Sequence, residues 1–137
     1  MRRHQAARDH AAAELCYRHA VAVDPGLAAA HTNLGILAYE LGDRAAAQAA
    51  FETALACDGD QPEARYNLAS LHFDEGAYDL AAAHLRRVVE KAPFFADAHH
   101  NLAVALERMG DAEAARAHTE RYLALTQRAS GESGGSG

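Results

Sequence analysis

An all-α fold of stacked antiparallel helix pairs is predicted by three features of this 137-residue sequence. First, one segment recurs: AHTNLGILAYELGD from Ala30, ARYNLASLHFDEGA from Ala64 and AHHNLAVALERMGD from Ala98, 34 residues apart. Second, a glycine falls at the same place in each copy: Gly42, Gly76 and Gly110. Third, small residues stand at matched positions on either side of that glycine. Gly35, Ala69 and Ala103 come before it, and Ala47, Ala81 and Ala115 after it. A fixed period of this length marks units that cannot bury an apolar face alone and so stack on their neighbours.

The elements follow in order. A long first helix is expected over Arg3 to Val23, ended by Asp24-Pro25-Gly26. The first full unit gives helices over Ala28–Leu41 and Arg44–Cys57. The second gives Pro62–Glu75 and Tyr78–Lys91, and the third Ala96–Met109 and Ala112–Thr126. Each central glycine can take the left-handed conformation that ends a helix and turns the chain back. Asp43 and Asp111 follow at once and suit the cap of the next helix. Asp58-Gly59-Asp60-Gln61-Pro62 and Ala92-Pro93 stop and restart the chain between units.

Packing explains what recurs. Leu34, Leu68 and Leu102 bury a large side chain between paired helices. The small residues after them face Ala47, Ala81 and Ala115 and let the partner helix come close. Phe51 and Leu85 fill the space beyond, with Ala54 and Val88 beneath the following unit.

Composition narrows the function. Half the residues are hydrophobic, only 7% are aromatic and none is Trp, which suits closely packed helices better than a thick core. Net charge is −6 and no basic cluster exists, so nucleic acid is not an expected direct partner. Cys16 and Cys57 lack metal-ligand spacing and read as small buried thiols. No stretch is apolar enough to span a membrane, and the expected location is cytoplasmic. Nine histidines scatter without a carboxylate or Cys to complete a site, although His84 and His118 occupy equivalent places and could approach one another. No HExxH, P-loop or nucleophile elbow is present. The chain is therefore not expected to be an enzyme or to hold a metal or cofactor.

The residues Asn-Leu-Gly, Leu-Gly-Asp, Ala47, Phe51, Ala54-Leu55 and a closing Asp-Pro resemble the tetratricopeptide repeat, in register from about Asp9 to Thr126. Some positions depart from the family pattern. His31, Arg65 and His99 stand where an aromatic is common, Gly59 replaces a closing Pro, and Thr119 stands in the place of Phe51. These departures are expected to loosen local packing. The resemblance implies a right-handed superhelical solenoid. Its organisation reads as a long helix in 1–27 (the second helix of a truncated repeat), repeats at 28–61, 62–95 and 96–129, and a flexible Gly/Ser tail at 130–137. Arg8 takes the place of the turn glycine in the first, incomplete repeat. The absence of capping helices suggests a piece of a larger bacterial protein whose uncapped ends favour homo-oligomers.

By the same resemblance, ligands are contacted from a concave face lined by the first helix of each repeat. That face takes Thr32, Asn33, Ile36, Tyr39 and Glu40, then Glu63, Tyr66, Asn67, Ser70, Phe73 and Asp74, then Asp97, His100, Asn101, Val104, Glu107 and Arg108. Asn33, Asn67 and Asn101 form a ladder whose amides can hold a peptide backbone, or can brace neighbouring helices. Five carboxylates against Arg108 exclude the basic carboxylate clamp found elsewhere in the family and favour a basic or mixed basic-hydrophobic extended peptide. The function expected is a protein-interaction adaptor or scaffold. Two alternatives stay open: a self-assembly module using the chain ends or the Pro93-Phe94-Phe95 corner, and the interaction domain of a bacterial transcription regulator of the mercury-resistance type, which the Ala-rich repeats resemble.

Overall fold

The computed structural model describes residues 2–59 and 61–134, with side chains described over 9–59 and 61–127. These residues form seven α-helices and no strand: α1 Arg2–Val23, α2 Ala28–Glu40, α3 Arg44–Cys57, α4 Pro62–Asp74, α5 Tyr78–Lys91, α6 Ala96–Arg108 and α7 Ala112–Gly134. They group into two compact units, Met1–Asn67 and Leu68–Gly137, which divide within α4. In the first unit α1 packs on α2 and α2 on α3. In the second, α5 packs on α6 and α6 on α7.

The turns inside the pairs repeat one construction. Gly42, Gly76 and Gly110 take φ of 83°, 80° and 89°, the left-handed region that side chains disfavour. The amide after each glycine donates back across the helix end: Asp43 N–H to Ala38 O, Ala77 N–H to His72 O and Asp111 N–H to Leu106 O, each at 2.9 Å. This closes the orphan carbonyls of α2, α4 and α6. Asp43 then accepts from the Ala46 amide at 3.1 Å and Asp111 from the Ala114 amide at 3.2 Å. Ala77, in the same place before α5, has no side-chain cap.

The core lies where the recurring apolar positions point. Phe51, Leu71, Leu85, Leu102, Leu106 and Val88 are fully buried, and Ala47, Ala54, Ala81 and Ala82 are inaccessible to solvent. Two details differ from expectation, and a third, at Thr119, agrees with it. Leu34 is half-buried where Leu68 and Leu102 are buried, because it borders a cavity of about 220 Å³ edged by Glu14, Arg18 and Leu41. Gly35 lies against the Phe51 ring rather than a facing alanine. Thr119, in the place of Phe51, is exposed and adds nothing to the core.

Both cysteines are exposed, contrary to the reading of small buried thiols. Each sits on the outward side of its helix, and the Cys57 thiol points at Pro25 O, 3.6 Å away. α1 is unbroken because nothing in it stops a helix; Arg8 cannot supply the left-handed turn of the glycines it replaces. α7 continues past Thr126 to Gly134, so the first residues of the segment read as a flexible Gly/Ser tail are helical. Gln127, Arg128 and Ala129 favour helix and no Pro intervenes. Residues 135–137 lie outside the described residues.

Candidate functional site

The residues expected to contact a ligand fall on α2, α4 and α6, and none of the sixteen from Asn33 to Arg108 is buried, Thr32 set aside. Thr32 does not belong with them. It is 1% exposed, and its hydroxyl reaches Ala28 O at 3.1 Å and Gln61 Oε1 at 2.5 Å. It joins α2 to the segment entering α4.

In the first unit α2 presents Asn33, Ile36, Tyr39 and Glu40, and the start of α4 presents Glu63, Tyr66 and Asn67. Asn33, Ile36 and Glu40 border a cleft of about 200 Å³ whose other wall is Asp9, His10, Ala13 and Tyr17 of α1. Glu40 pairs with His10 across its mouth at 3.0 Å. Asn67 donates its amide N–H to Glu63 O at 2.9 Å, within its own helix. That bond uses one of the amide's two N–H donors and none of the acceptor capacity of its oxygen.

In the second unit Ser70, Phe73 and Asp74 close α4, and α6 carries Asp97, His100, Asn101, Val104, Glu107 and Arg108. Aromatic contacts that involve two residues outside the expected set organise this face. Phe73 meets Tyr78 edge-on with centroids 5.2 Å apart, and the Arg108 guanidinium lies 5.9 Å over the Tyr78 ring. Such an exposed cation–ring contact is worth about 0.5–1 kcal/mol. His100 leans on Tyr122 of α7 at 4.9 Å. Tyr78 and Tyr122 lie on second helices, so a search confined to the first helix of each pair passes over them.

Three of the positions read as departures from the repeat pattern turn out to be fastenings. His31 Nε2 donates to Pro25 O, Arg65 donates through a terminal guanidinium nitrogen to Gly59 O, and His99 Nε2 donates to Pro93 O, each at 2.9 Å and each six residues back. A bulky nitrogen donor at this place ties the inter-repeat turn to the helix that follows, which offsets the loosening expected at these three positions.

The two histidines read as possible neighbours pair elsewhere. His84 stacks on His72 at 5.7 Å, and His118 stacks on His99 at 5.3 Å. A carbonyl only accepts, so His99 Nε2 carries the proton it gives to Pro93. In neutral His99 the Nδ1 is then an acceptor, and His118 Nδ1, 3.1 Å away, is its donor. Burial, then His99 and Arg86, lower the His118 pKa below its ordinary 6.5. Among the described residues no group of His, Cys, Asp and Glu could hold a metal ion, and no helix is long and apolar enough to cross a membrane.

Comparison with known proteins agrees with this architecture. Two family models, both described as tetratricopeptide repeat, match residues 32–94 and 72–130. A comparison with curated protein sequences returns no match. Two solved structures of MamA are similar at 22% identity. One has a TM-score of 0.72 over 84% of this chain, and the other 0.76 over 88%. The chain spans 63% of the first MamA chain and 71% of the second. With its in-register glycine turns and both family models in agreement, the chain belongs to the tetratricopeptide repeat family, an all-α solenoid that serves as a protein-interaction scaffold.

Proposed function

We propose that this chain is an adaptor that binds an extended, basic or mixed basic-hydrophobic peptide through α2, α4 and α6. The observation that carries the reading is the character of the accessible side chains in each unit. The first offers Glu40 and Glu63 beside Tyr39, Tyr66 and the amides of Asn33 and Asn67. The second offers Asp74, Asp97 and Glu107 beside Phe73, His100, Val104 and Asn101. The Arg108 charge lies over Tyr78. Carboxylates attract a cationic ligand, half-exposed aromatics give it contact area at low entropy cost, and amides hold its backbone.

The test is a titration of basic and acidic peptide pools against the wild type, Asn67→Ala and Asn101→Ala. Basic peptides bind at about micromolar strength, and each amide loss weakens them because ligand backbone groups are left unpaired. Binding falls as salt rises, since the carboxylates are exposed. Preference for acidic peptides, or full binding by Asn67→Ala, sinks the reading.

A second reading, self-association, is supported by Phe94, 76% exposed at the corner between α5 and α6. Sedimentation of Phe94→Ser against the wild type tests it: an assembly insensitive to that change does not use the corner.

A further inference from the structure

We propose that the cavity between α1, α2 and α3 binds a small planar nitrogen base, a heteroaromatic molecule of one or two rings. The cavity measures about 220 Å³ and opens beside Glu14 and Arg18 of α1. Leu34, Leu37 and Ala38 of α2 line one wall, and Ala46 and Ala50 of α3 line another. All of these residues belong to the first compact unit.

The later repeats show what this place accommodates. The 34-residue period sets Ala38 and Ala50 in register with His72 and His84. There the two half-buried imidazoles stack, with their planes 4° apart and their centroids 5.7 Å apart. In the third repeat the same positions hold Leu106, which is 1% exposed, and His118, which stacks on His99. Of the three full repeats, the first alone carries a bare methyl at both positions. Leu34 is half-buried beside the gap, whereas Leu68 and Leu102 are buried. The first repeat thus leaves open the place that the second fills with two flat rings.

Size and charge define the occupant. The volume falls below the roughly 300 Å³ at which sites for drug-sized ligands begin, so a ring or a fused pair suits it. Leucine and alanine walls remove the ring faces from water. At the rim, half-buried Glu14 reaches exposed Arg18 at 3.5 Å. Asp43 adds a second carboxylate to the lining. Two carboxylates against one guanidinium favour a cationic ring over an acidic one, and ring N–H groups are the donors that carboxylates accept from. Asn67 and Asn101 lie outside the lining, so this site stands apart from the extended-peptide contacts.

The probe is 2-aminobenzimidazole, titrated into the full chain at neutral pH and followed by amide NMR shifts. Saturable shifts are expected at Leu34, Ala38, Ala46 and Ala50, with a dissociation constant of about 1 mM or lower. Benzoate, flat but acidic, is expected to bind severalfold more weakly. Ala38→His with Ala50→His in one chain transplants the ring pair of the second repeat; it should keep the helical signal and abolish the shifts. Ala38→Leu, the residue of the third repeat, fills part of the space and should weaken binding independently. Glu14→Gln should weaken it by about threefold, and Asn67→Ala should leave it unchanged. Absence of shifts, shifts centred on other helices, benzoate binding as well as the base, or undiminished binding by Ala38→Leu overturns the proposal. So do nuclear Overhauser contacts in the ligand-free chain from Ala50 to a residue outside α1, α2 and α3, because the chain then fills its own cavity.

Discussion

A Cβ placed on Gly35 would stand 2.5 Å from Phe51 Cε1 and 2.7 Å from Cδ1, closer than any packed carbon pair. The ring is 1% exposed and cannot swing aside into solvent. Gly35→Ala therefore forces a shift between α2 and α3. Alanine favours helix over glycine by about 1 kcal/mol, and the overpacking costs about 1–3 kcal/mol. The expected outcome is a lower denaturation midpoint for Gly35→Ala. The later repeats pair Ala69 with Leu85, so Phe51→Leu in the same chain should relieve the clash. A double variant less damaged than the sum of its singles, by urea denaturation, checks the contact.

The two capped second helices give a smaller effect. Asp43→Ala and Asp111→Ala each remove the acceptor from one helix-start amide, at 3.1 and 3.2 Å. Each should cost about 1 kcal/mol in a denaturant series. Ala77→Asp, at the place that lacks a cap, should stabilise by a comparable amount.

The inter-repeat fastenings should differ in strength according to burial. His31→Leu exposes Pro25 O to water and costs about 0.5–1.5 kcal/mol. His99 is 5% exposed and also accepts from His118. His99→Leu therefore leaves two groups without their partner and should be clearly the more damaging. Equal denaturation midpoints for the two variants would refute that ranking.

His118 should make the fold sensitive to acid. Its folded pKa is lowered by burial first, then by His99 and by Arg86. The unfolded chain therefore binds the proton more readily. Stability is complete above the unfolded value of about 6.5, and is lost as pH falls through it towards the lower folded value. The groups facing the imidazole are His99 of α6 and Arg86 of α5. Melting temperature should fall between pH 7 and pH 5 more steeply in the wild type than in His118→Gln.

The helices were legible in the sequence because their signals are local. Gly42 needs only its own backbone to turn the chain, and Asp43 needs only the amide three residues on. Periodicity likewise identifies Phe51 and Leu85 as core. What was not legible depends on acceptors distant in sequence or on a neighbour's shape. Nothing in the letters around His31 says that a carbonyl six residues back lies within 2.9 Å. Thr32 reads as a ligand contact because its helix face is right, yet Gln61, 29 residues away, closes over it. The cysteines sit among apolar letters but on the outward side of their helices. For the candidate site, the sequence placed acids and aromatics on α2, α4 and α6, but gave no sign that Tyr78 would gather Phe73 and Arg108.

The contact between Gly35 and Phe51 also sets an order of events for the drift of duplicated units. A repeat that starts with the Ala69 and Leu85 arrangement can lose the methyl first, at the modest expense of a small void. Only then can it accept the ring. Taken the other way, the intermediate holds both the methyl and the ring at 2.5 Å, and the helix pair must part. Copies of one unit can thus diverge, or revert, only through the pairing of glycine with leucine: the small residue changes first on the way to the ring and last on the way back.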